Sequence, residues 1–566
     1  GPEAAFHREM TDIFTELRDL HTNYLLPSPY RENTAYLPFL VEEYTEADGQ
    51  HYLVSKVADD LPHPTFVAGV ELTHWNGVPI HRAIEISADA NAGSNDAARF
   101  ARGLDSLTIR PLMRLAPPDE EWVVVRYVDG TSADRELRVD WKVWAPGDPG
   151  TLPMPDDAVA TRAAVGYDVE VDSVNAAKKA LFAPAAVRAE ARTRTARRQA
   201  AVGEGFLETT LPTVLRANTV HTASGKFGYI RVFTFMVDDA DGFVAEFVRL
   251  ADQLPNDGLI IDVRNNGGGL IYAAEQLLQT LTPRAVEPSP AQFVTTPLML
   301  DLVRRHSPSS LDPTFDLSPW AASMDLAVRT GSVYSTSHSI TPLAQANAVG
   351  QRYHGPVVLV TDARCYSATD MFAAGFQDHR IGPVLGVHAN TGAGGANVWT
   401  HELLRQLMDA PAAPDSPFPT NPFTTLPANM GLRVAVRRTV RVGEQSGTPV
   451  EDLGVVPDER HAMTRRDLLE GNADLIEHAG RLLAALPRRR LDASATRHAR
   501  RLTITLRTAG VDRVDVAVGG RPVTSLDVRA GTTEVVLERP VAKGVDVGLQ
   551  AFAAGTLAAA LHLRAP

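Results

Sequence analysis

Residues 258–269 read GLIIDVRNNGGG, a short apolar segment that runs directly into three consecutive glycines. A continuous apolar run bounded by glycine is typical of a strand buried on both faces of a parallel sheet. The glycines leave the following backbone amides open to an anion, because no side chain stands in front of them. An oxyanion-binding loop and a tight strand-to-helix turn both remain open as interpretations. A phosphate-binding loop is disfavoured, since no Gly-Lys-Ser/Thr follows.

The neighbouring segments alternate between strand and helix patterns. A long irregular stretch is expected after the second helix, up to about residue 353. The predicted order is strand GYIRVFTF (228–235), helix 241–254, strand GLIIDVR (258–264), helix 270–281, strand GPVVLVTD (355–362), helix SATDMFAAGFQDH (367–379) and strand GPVLGVHA (382–389). This alternation predicts an α/β core in which helices cover a parallel sheet.

Ser367 stands at the junction between the apolar strand and a helix that begins near Ala368. One interpretation is structural, because Ser-x-x-Asp is a near capping box that Asp370 would close. The other is catalytic, a nucleophile whose anionic transition state meets amides at a helix N-terminus. Cys365 lies two residues earlier and is expected to be a packing residue, since cysteine is commonly buried and inert.

Several motifs occur in a fixed order along the chain. The glycine-ended strand and the Ser-Ala-Thr-Asp element are followed by GVHANTGAGG at 386–395 and PVEDLGVVPD at 449–458. This order resembles the catalytic domain of the C-terminal processing, tail-specific serine peptidases, over roughly residues 205–485. The resemblance implies a crotonase-like α/β core and a serine endopeptidase that cleaves unfolded or extended polypeptides through an acyl-enzyme. It implies neither a cofactor nor a metal.

The resemblance also implies the residues that serve the serine. Many members use a Ser–Lys dyad, but the region beyond Ser367 reads HANTGAGGANVW (388–399) and contains no lysine. The chain is therefore more similar to the branch of the tricorn core and the chlamydial protease-like activity factor, which uses a histidine and a glutamate. Carried over to this sequence, these residues are His21, in LRDLHTNY, and Glu451, with Asp452 as its immediate competitor.

The same resemblance assigns the oxyanion hole. The predicted donors are the backbone amides of Gly268 and Ala368, and Gly267 is the alternative donor. His21 could otherwise be an ordinary capping or packed histidine. The serine needs a base, however, and the usual lysine is missing.

The segments outside the core predict additional domains. Residues 1–50 are expected to form an N-terminal helical segment that carries the candidate histidine, with helical spacing over 6–20. Residues 51–143 are expected to form a PDZ-like module with short strands, one helix and turns at 75–77 and 129–130. The expected units after it are an insertion with a basic helix (insertion 144–204, helix 174–202), the α/β serine peptidase core (205–487) and a β-sandwich-like C-terminal domain (488–566).

The insertion permits two interpretations. PDZ-like modules of the family bind extended peptide as an added strand, and residues 144–204 could block that cleft. An inhibitory or autoprocessed segment is a hypothesis, and its test is the intact mass of the incubated protein. The basic helix is either a solvated face or a docking site.

Composition limits the classes of function. A chain of 566 residues is too long for one hydrophobic core, and the net charge of -13 argues against nucleic acid as a partner. A single cysteine excludes an intrachain disulfide. No apolar run is long enough to span a membrane. A polypeptide substrate is expected as partner, the homo-oligomeric state is open, and cytosol is expected rather than export.

Three other functions are alternatives to the peptidase. A catalytically inactive peptide- or ligand-binding protein on the same fold is the first, and the joint presence of serine, histidine, glutamate and glycines argues against it. An esterase is disfavoured because no Gly-x-Ser-x-Gly surrounds Ser367. A metal enzyme is disfavoured because no His-Glu-x-x-His occurs among the 17 histidines.

Overall fold

The computed structural model describes most of the chain: residues 2–145, 173–183, 205–307, 316–427, 430–498, 501–537 and 540–566. Within these residues, no helix is both long enough and apolar enough to cross a membrane. The α-helices are α1 (Pro2–Glu16), α2 (Ile80–Asp89), α3 (Asp96–Ser106), α4 (Ser173–Phe182), α5 (Ala240–Ala251), α6 (Ile271–Gln279), α7 (Pro297–Arg305), α8 (Ser318–Thr330), α9 (Leu343–Ala346), α10 (Ala368–Asp378), α11 (His401–Met408), α12 (Arg465–Leu469) and α13 (Ala473–Ala485).

The strands of the described residues fall into six sheets. Their bounds are β1 (Asn23–Leu25), β2 (Thr34–Tyr36), β3 (Phe39–Glu46), β4 (Gly49–Val57), β5 (Glu71–Trp75), β6 (Val78–Pro79), β7 (Ile109–Pro111), β8 (Trp122–Val128), β9 (Asp134–Asp140), β10 (Lys142–Trp144), β11 (Leu215–Thr222), β12 (Gly225–Val232), β13 (Leu259–Asp262), β14 (Pro290–Phe293), β15 (His338–Ser339), β16 (Val357–Thr361), β17 (Val384–Gly386), β18 (Ala396–Thr400), β19 (Gly431–Thr439), β20 (Glu459–Arg460), β21 (Arg490–His498), β22 (Arg501–Ala509), β23 (Arg513–Val518), β24 (Arg521–Asp527), β25 (Gly531–Leu537), β26 (Asp546–Ala553) and β27 (Thr556–Arg564).

The α/β core is built on the predicted sheet. Its strand order is β11-β12-β13-β16-β17-β20, and all pairs except β11 with β12 are parallel. Helices α5, α6 and α10 bury their apolar faces in the largest hydrophobic cluster, against one face of this sheet. The carboxyl ends of the central strands β13 and β16 therefore lie side by side, which is where parallel sheets place their functional loops.

A second sheet connects the N-terminus to the core. It has the order β1-β19-β14-β15, and β18 also pairs with β19. Strand β1 lies antiparallel to β19, with Asn23 opposite Arg433. The helix before it ends at Glu16 rather than at the predicted residue 20, and Arg18 then adopts a positive φ of 57°. The chain thus turns sharply before His21.

The PDZ-like module contains a sheet in the order β3-β4-β5-β8-β9, with β6 paired to β5. Turns at 75–77 and 129–130 connect strands as predicted. The sheet begins at Phe39, ahead of the expected boundary at 51. The single helix predicted here is wrong, because two helices occur, α2 and α3. The second begins at an Asn95 cap whose side chain accepts the Ala98 amide.

The stretch expected to be irregular up to residue 353 contains regular structure, so that prediction is also wrong. Helices α7, α8 and α9 lie there, together with strands β14 and β15. Thr296 caps α7 and Pro297 occupies its first turn, which is a common helix start. Trp320, on α8, packs with Phe293 and Trp399 in a separate apolar cluster.

The C-terminal strands form a two-sheet sandwich, as predicted from their alternating pattern. One sheet has the order β21-β22-β25 and the other β24-β23-β26-β27. Both contribute to one apolar cluster of their own. Of the predicted basic helix 174–202, the structure describes a helix over Ser173–Phe182, and residues 184–204 lie outside the described residues.

Candidate active site

Backbone hydrogen bonds join the glycine-rich loop to the serine-bearing turn. The Asp362 carboxylate, just after β16, accepts the amide of Asn265 at 2.9 Å. The amide of Tyr366 donates to the carbonyl of Asn266 at 3.1 Å. These bonds hold the two strand ends together, and the sheet thereby fixes the position of both loops.

Gly268 lies directly against Ser367. Its φ is 107°, a conformation that residues with a side chain rarely adopt. A Cβ atom added there would lie 2.6 Å from the Cβ of Ser367 and 2.7 Å from the carbonyl oxygen of Tyr366. Such distances are shorter than atoms tolerate, so this close approach requires glycine.

Ser367 occupies the N-cap position of α10 without acting as a cap. Its backbone has φ 56° and ψ -125°, and its side chain makes no capping hydrogen bond. Asp370, the predicted partner in a capping box, instead accepts the amides of Ala393 and Gly394 at 3.3 and 2.8 Å. The capping interpretation is therefore wrong for this serine. A serine held in a strained conformation between a strand and a helix is typical of a catalytic nucleophile.

His21 is fully buried in the turn between α1 and β1. The Asp19 carboxylate accepts its amide at 2.8 Å and the Thr22 hydroxyl at 2.5 Å. The same hydroxyl oxygen accepts the amide of Ala435 at 3.1 Å. Arg433 donates to the carbonyl of Leu20 at 3.3 Å. Strand β19 and Asp19 together fix the backbone on both sides of the histidine.

Glu451 faces this histidine from the opposite segment. Its side-chain Oε2 lies 3.9 Å from His21 Nδ1, within ion-pair range, and Glu451 is only 8% exposed. The competing Asp452 points to solvent and has a positive φ of 69°. The structure therefore brings Glu451, and not Asp452, next to His21.

Tyr366 connects the histidine with the serine. Its buried ring lies 4.5 Å from the His21 ring, centroid to centroid, at an angle of 38°. The next residue along the chain is Ser367. Gly394 also packs against the Tyr366 ring, and a Cβ atom added at this glycine would lie only 2.2 Å from the Cζ atom of the ring. The glycines of GAGG thus allow the tyrosine to hold its place beside His21.

The amides predicted for the oxyanion hole are not equivalent. The Gly268 amide donates to the side-chain Oδ1 of Asn266 at 2.9 Å. Among the hydrogen bonds of the described residues, none uses the amide of Gly267 or Ala368 as donor. The first amides of a helix have no intrahelical acceptor, which leaves Ala368 available to an anion.

Sequence profiles identify the two central parts of the chain. Residues 226–460 match peptidase family S41, and residues 33–148 match a PDZ domain. Its central part is a serine peptidase domain of family S41. The prediction of a C-terminal processing peptidase with a PDZ module is thereby confirmed, and a search of curated proteins returned no match.

Solved structures are similar to this S41 peptidase to different degrees. Mature CPAF complexed with lactacystin is 16% identical, with a TM-score of 0.54, and the match covers 84% of this chain and 88% of that one. The photosystem II D1 C-terminal processing protease is 14% identical over 84% of each chain, with a TM-score of 0.32. At these identities the likeness to CPAF concerns the fold alone.

Electrostatics distinguish two buried carboxyls in the S41 peptidase. Burial raises the pKa of Glu451 to about 8. The hydrogen bond and charge of His21 lower this pKa, and the negative charge of the nearby Asp19 raises it further. Burial raises the pKa of Asp370 to about 6, against the hydrogen bonds from Thr391 and two amides. An acid whose pKa lies near neutrality and whose neighbour is a histidine is typical of a functional site.

Two groups of residues in the described part of the peptidase have the spacing of metal ligands. They are Asp19, His21 and Glu451, and the more exposed Glu46, Asp48 and His51. In the first group Asp19 already accepts two hydrogen bonds, from the His21 amide and the Thr22 hydroxyl. The spacing of Asp19, His21 and Glu451 is therefore explained by hydrogen bonds and a histidine–carboxylate contact, without a metal ion.

Sequence reasoning missed several residues around the site of the peptidase. Tyr366, Asp19 and Asn266 each position one of the predicted residues, and none was assigned a role from the sequence. A second pair was also missed: His388 lies 2.5 Å from Glu43 and accepts the Ala363 amide on its other nitrogen. It joins the PDZ domain to the turn that carries the serine. The glycines of GAGG were the one sequence feature that could have indicated these contacts, because glycine runs allow close approach of the backbone to a side chain.

Proposed function

We propose that this peptidase cleaves internal peptide bonds of unfolded or extended polypeptides through a triad of Ser367, His21 and Glu451. The observation that carries the proposal is the buried His21, which faces Glu451 on one side and the ring of Tyr366 on the other. Ser367 follows that tyrosine directly and is not engaged as a helix cap.

Each residue has a defined step in this mechanism. His21 takes the proton from the Ser367 hydroxyl as its oxygen forms a bond to the carbonyl carbon of the substrate. The charged histidine then protonates the leaving amine, and the C–N bond breaks to give the acyl-enzyme. Water, deprotonated by His21, releases the acid product and restores the serine. Glu451 orients the imidazole and stabilises its charged form.

The oxyanion is assigned to the amides of Ala368 and Gly267. The alternative donor is favoured over Gly268, because the Gly268 amide donates to Asn266. An amide with a buried acceptor of its own loses that bond when it turns to a substrate, which costs about 1 kcal/mol or more. Gly268 instead provides the space that Ser367 occupies.

The substrate class follows from the PDZ domain and the buried position of the site. PDZ domains add an extended peptide to a sheet as a further strand, which selects chains that are not folded. The domain contacts the serine-bearing turn directly, since Arg364 donates to Asp105 at 2.6 Å and to the carbonyl of Ala101 at 3.0 Å. A peptide held by the domain is therefore delivered close to Ser367.

The test compares wild type with Ser367→Ala, using a serine-directed fluorophosphonate probe and denatured casein. Ser446→Ala is the matched control, because Ser446 is exposed and lies outside the site. Wild type and the control are expected to react and to cleave, and Ser367→Ala to do neither. Labelling that persists in Ser367→Ala would disprove the assigned nucleophile. No reaction of the folded wild type would favour an inactive binding protein on the same fold.

A further inference from the structure

A cavity beside the candidate catalytic residues is lined by an arginine, Arg102, that forms no ion pair with a carboxylate of the described residues. It has a volume of about 90 Å³, more than a single water requires. Leu20, Ala92 and Arg102 form part of its wall. Leu20 and Ala92 pack together with Tyr366 in one small apolar cluster. Leu20 precedes His21 in the chain and Tyr366 precedes Ser367, so the cavity lies next to both candidate catalytic residues.

Arg102 is not neutralised within the described residues. Its guanidinium carbon lies 5.0 Å from the centre of the Tyr366 ring, and it forms no ion pair with a carboxylate there. Its Nε is buried and makes no hydrogen bond. Burial lowers the pKa of this arginine, and Tyr366 and Asp105 offset only part of the effect. Arg102 is partly buried, and a cation that is partly removed from water without a hydrogen-bonded anion is unfavourable, so such groups commonly have a ligand.

The nearby acid of the cavity cannot serve as that partner. Asp105 lies 2.6 Å from Arg364 Nε and 2.7 Å from Lys178 Nζ. These two cations hold the pKa of Asp105 far below its ordinary range despite its burial. The carboxylate is thus already shared between two cations, and the other charged residue lining the cavity is Arg114. The net charge of the lining is positive.

We infer that this cavity is a substrate subsite in which Arg102 receives a carboxylate of the polypeptide. The inference rests on the proposed peptidase function and adds a specificity to it. Guanidinium groups bind carboxylates with two parallel hydrogen bonds, and the ring of Tyr366 beneath Arg102 keeps its plane oriented. The carboxylate belongs either to an Asp or Glu side chain near the scissile bond or to the C-terminus of the substrate.

The first experiment identifies the source of the carboxylate. Cleavage sites of wild type in denatured casein are mapped by mass spectrometry. Quenched fluorescent peptides are then made in matched pairs, with Glu or Gln at the preferred position and with a free or amidated C-terminus. Wild type should prefer the acid member of one pair by about tenfold in kcat/KM, mainly through KM. Equal rates for both members of both pairs would overturn the inference.

The second experiment assigns the preference to Arg102. In Arg102→Met the ratio of kcat/KM between acid and amide peptides should fall to about one, and Arg102→Lys should restore part of it, since charge remains but the planar fork is lost. Arg82→Met is the control, because Arg82 pairs with Glu85 on the exposed face of α2. A purely structural role would reduce both peptides equally and leave the ratio unchanged, which would also overturn the inference.

Binding separates this inference from the proposed function. The Ser367→Ala protein is titrated with the fluorescein-labelled acid and amide peptides, and anisotropy is measured. Tighter binding of the acid peptide, lost on adding Arg102→Met, supports the subsite even where no cleavage occurs. Labelling of Ser367 by the fluorophosphonate, together with equal binding of both peptides, retains the peptidase and rejects the subsite.

Discussion

At the scale of single residues, Glu451 predicts an unusual dependence of activity on pH. Its pKa is raised to about 8 by burial, and its proposed role requires the ionised form. We expect kcat/KM of wild type to rise with pH through about 8. Glu451→Gln removes the charge and should lower kcat/KM on the order of 10³-fold. Peptide turnover measured from pH 6 to 10 tests both points. A profile that reaches its plateau below pH 7 would contradict the assigned role.

The same carboxyl predicts a dependence of stability on pH with the opposite sign. The native pKa of about 8 lies above the ordinary value of 4.5, so the folded protein binds this proton more tightly than the unfolded chain. Stability from this group is complete below about pH 4.5 and is lost as pH rises through about 8. Glu451→Gln should therefore be more stable than wild type at pH 8.5. Urea unfolding measures this difference, and Asp452→Asn, at the exposed neighbour, is the control.

Gly268→Ala should displace the serine. The added Cβ would meet Ser367 and Tyr366 within 2.7 Å, and the backbone would keep a φ of 107°. We expect a loss of about 3 kcal/mol in the free energy of unfolding and no labelling of Ser367. Gly77→Ala is the matched control, since Gly77 has a φ of 79° and no atom within 4 Å of the added Cβ. Equal losses for the two variants would show that strain alone, and not the contact with Ser367, explains the effect.

The candidate site could be predicted only where a residue stands in an ordered motif. Ser367 and the glycines lie beside buried strands, so their positions followed from local pattern. His21 was assigned by resemblance, because a histidine in a turn has no local feature that distinguishes a catalytic from a packed one. Arg102 gave no signal at all, since its burial depends on the packing of the PDZ domain against the serine-bearing turn.

At the scale of elements, the short turn before β1 determines where His21 lies. The Thr22 hydroxyl donates to Asp19 and accepts the amide of Ala435 on β19. Valine has the same shape as threonine but carries a methyl group in place of this hydroxyl. Thr22→Val should lower kcat about tenfold while it costs about 1–2 kcal/mol in stability. Thr73→Val in the PDZ sheet loses a comparable hydroxyl and is the control. A parallel loss of activity in both variants would indicate general destabilisation.

Helix α4 of the insertion is attached to the glycine-rich loop and to the PDZ domain. Asn175 exchanges hydrogen bonds with the side chain and carbonyl of Asn265, and Lys178 pairs with Asp105. The double variant Asn175→Ala, Lys178→Ala should increase hydrogen exchange of residues 173–182 by at least tenfold. Hydrogen exchange followed by mass spectrometry measures this, and Asn218→Ala, at a partly exposed residue of β11, is the control. Unchanged protection would mean that apolar contacts, such as buried Ala177, hold the helix instead.

The elements that sequence reasoning missed share a physical cause. Helices α7 and α8 have mixed apolar spacing, and each has a proline in its first turn, a position where proline is compatible with a helix. Their stability comes from tertiary packing of Trp320 against Phe293 and Trp399. The buried parallel strands, in contrast, were correctly predicted because their continuous apolar runs are determined locally.

At the scale of the whole molecule, the chain consists of several hydrophobic cores joined by polar contacts. The PDZ domain and the peptidase core have separate apolar clusters. Charged and polar groups connect them, including the pairs of Arg364 with Asp105 and His388 with Glu43. Interfaces of this composition resemble those between transient partners, so the relative position of the domains should respond to salt more than either core does.

The C-terminal sandwich provides the clearest test of this division. Its cluster of buried residues is its own, and it meets the peptidase core where the backbone of Ala560 bonds Gln351 and His354. A chain of residues 1–487 should therefore fold and label at Ser367 at a rate within about threefold of the full chain. Calorimetry of the full chain should show a transition that the shortened chain lacks. Loss of labelling and of the folded far-UV spectrum together would mean instead that the sandwich completes the peptidase core. That outcome would make the bonds at Ala560 part of a cooperative unit, because unfolding could then not be divided between two separate clusters.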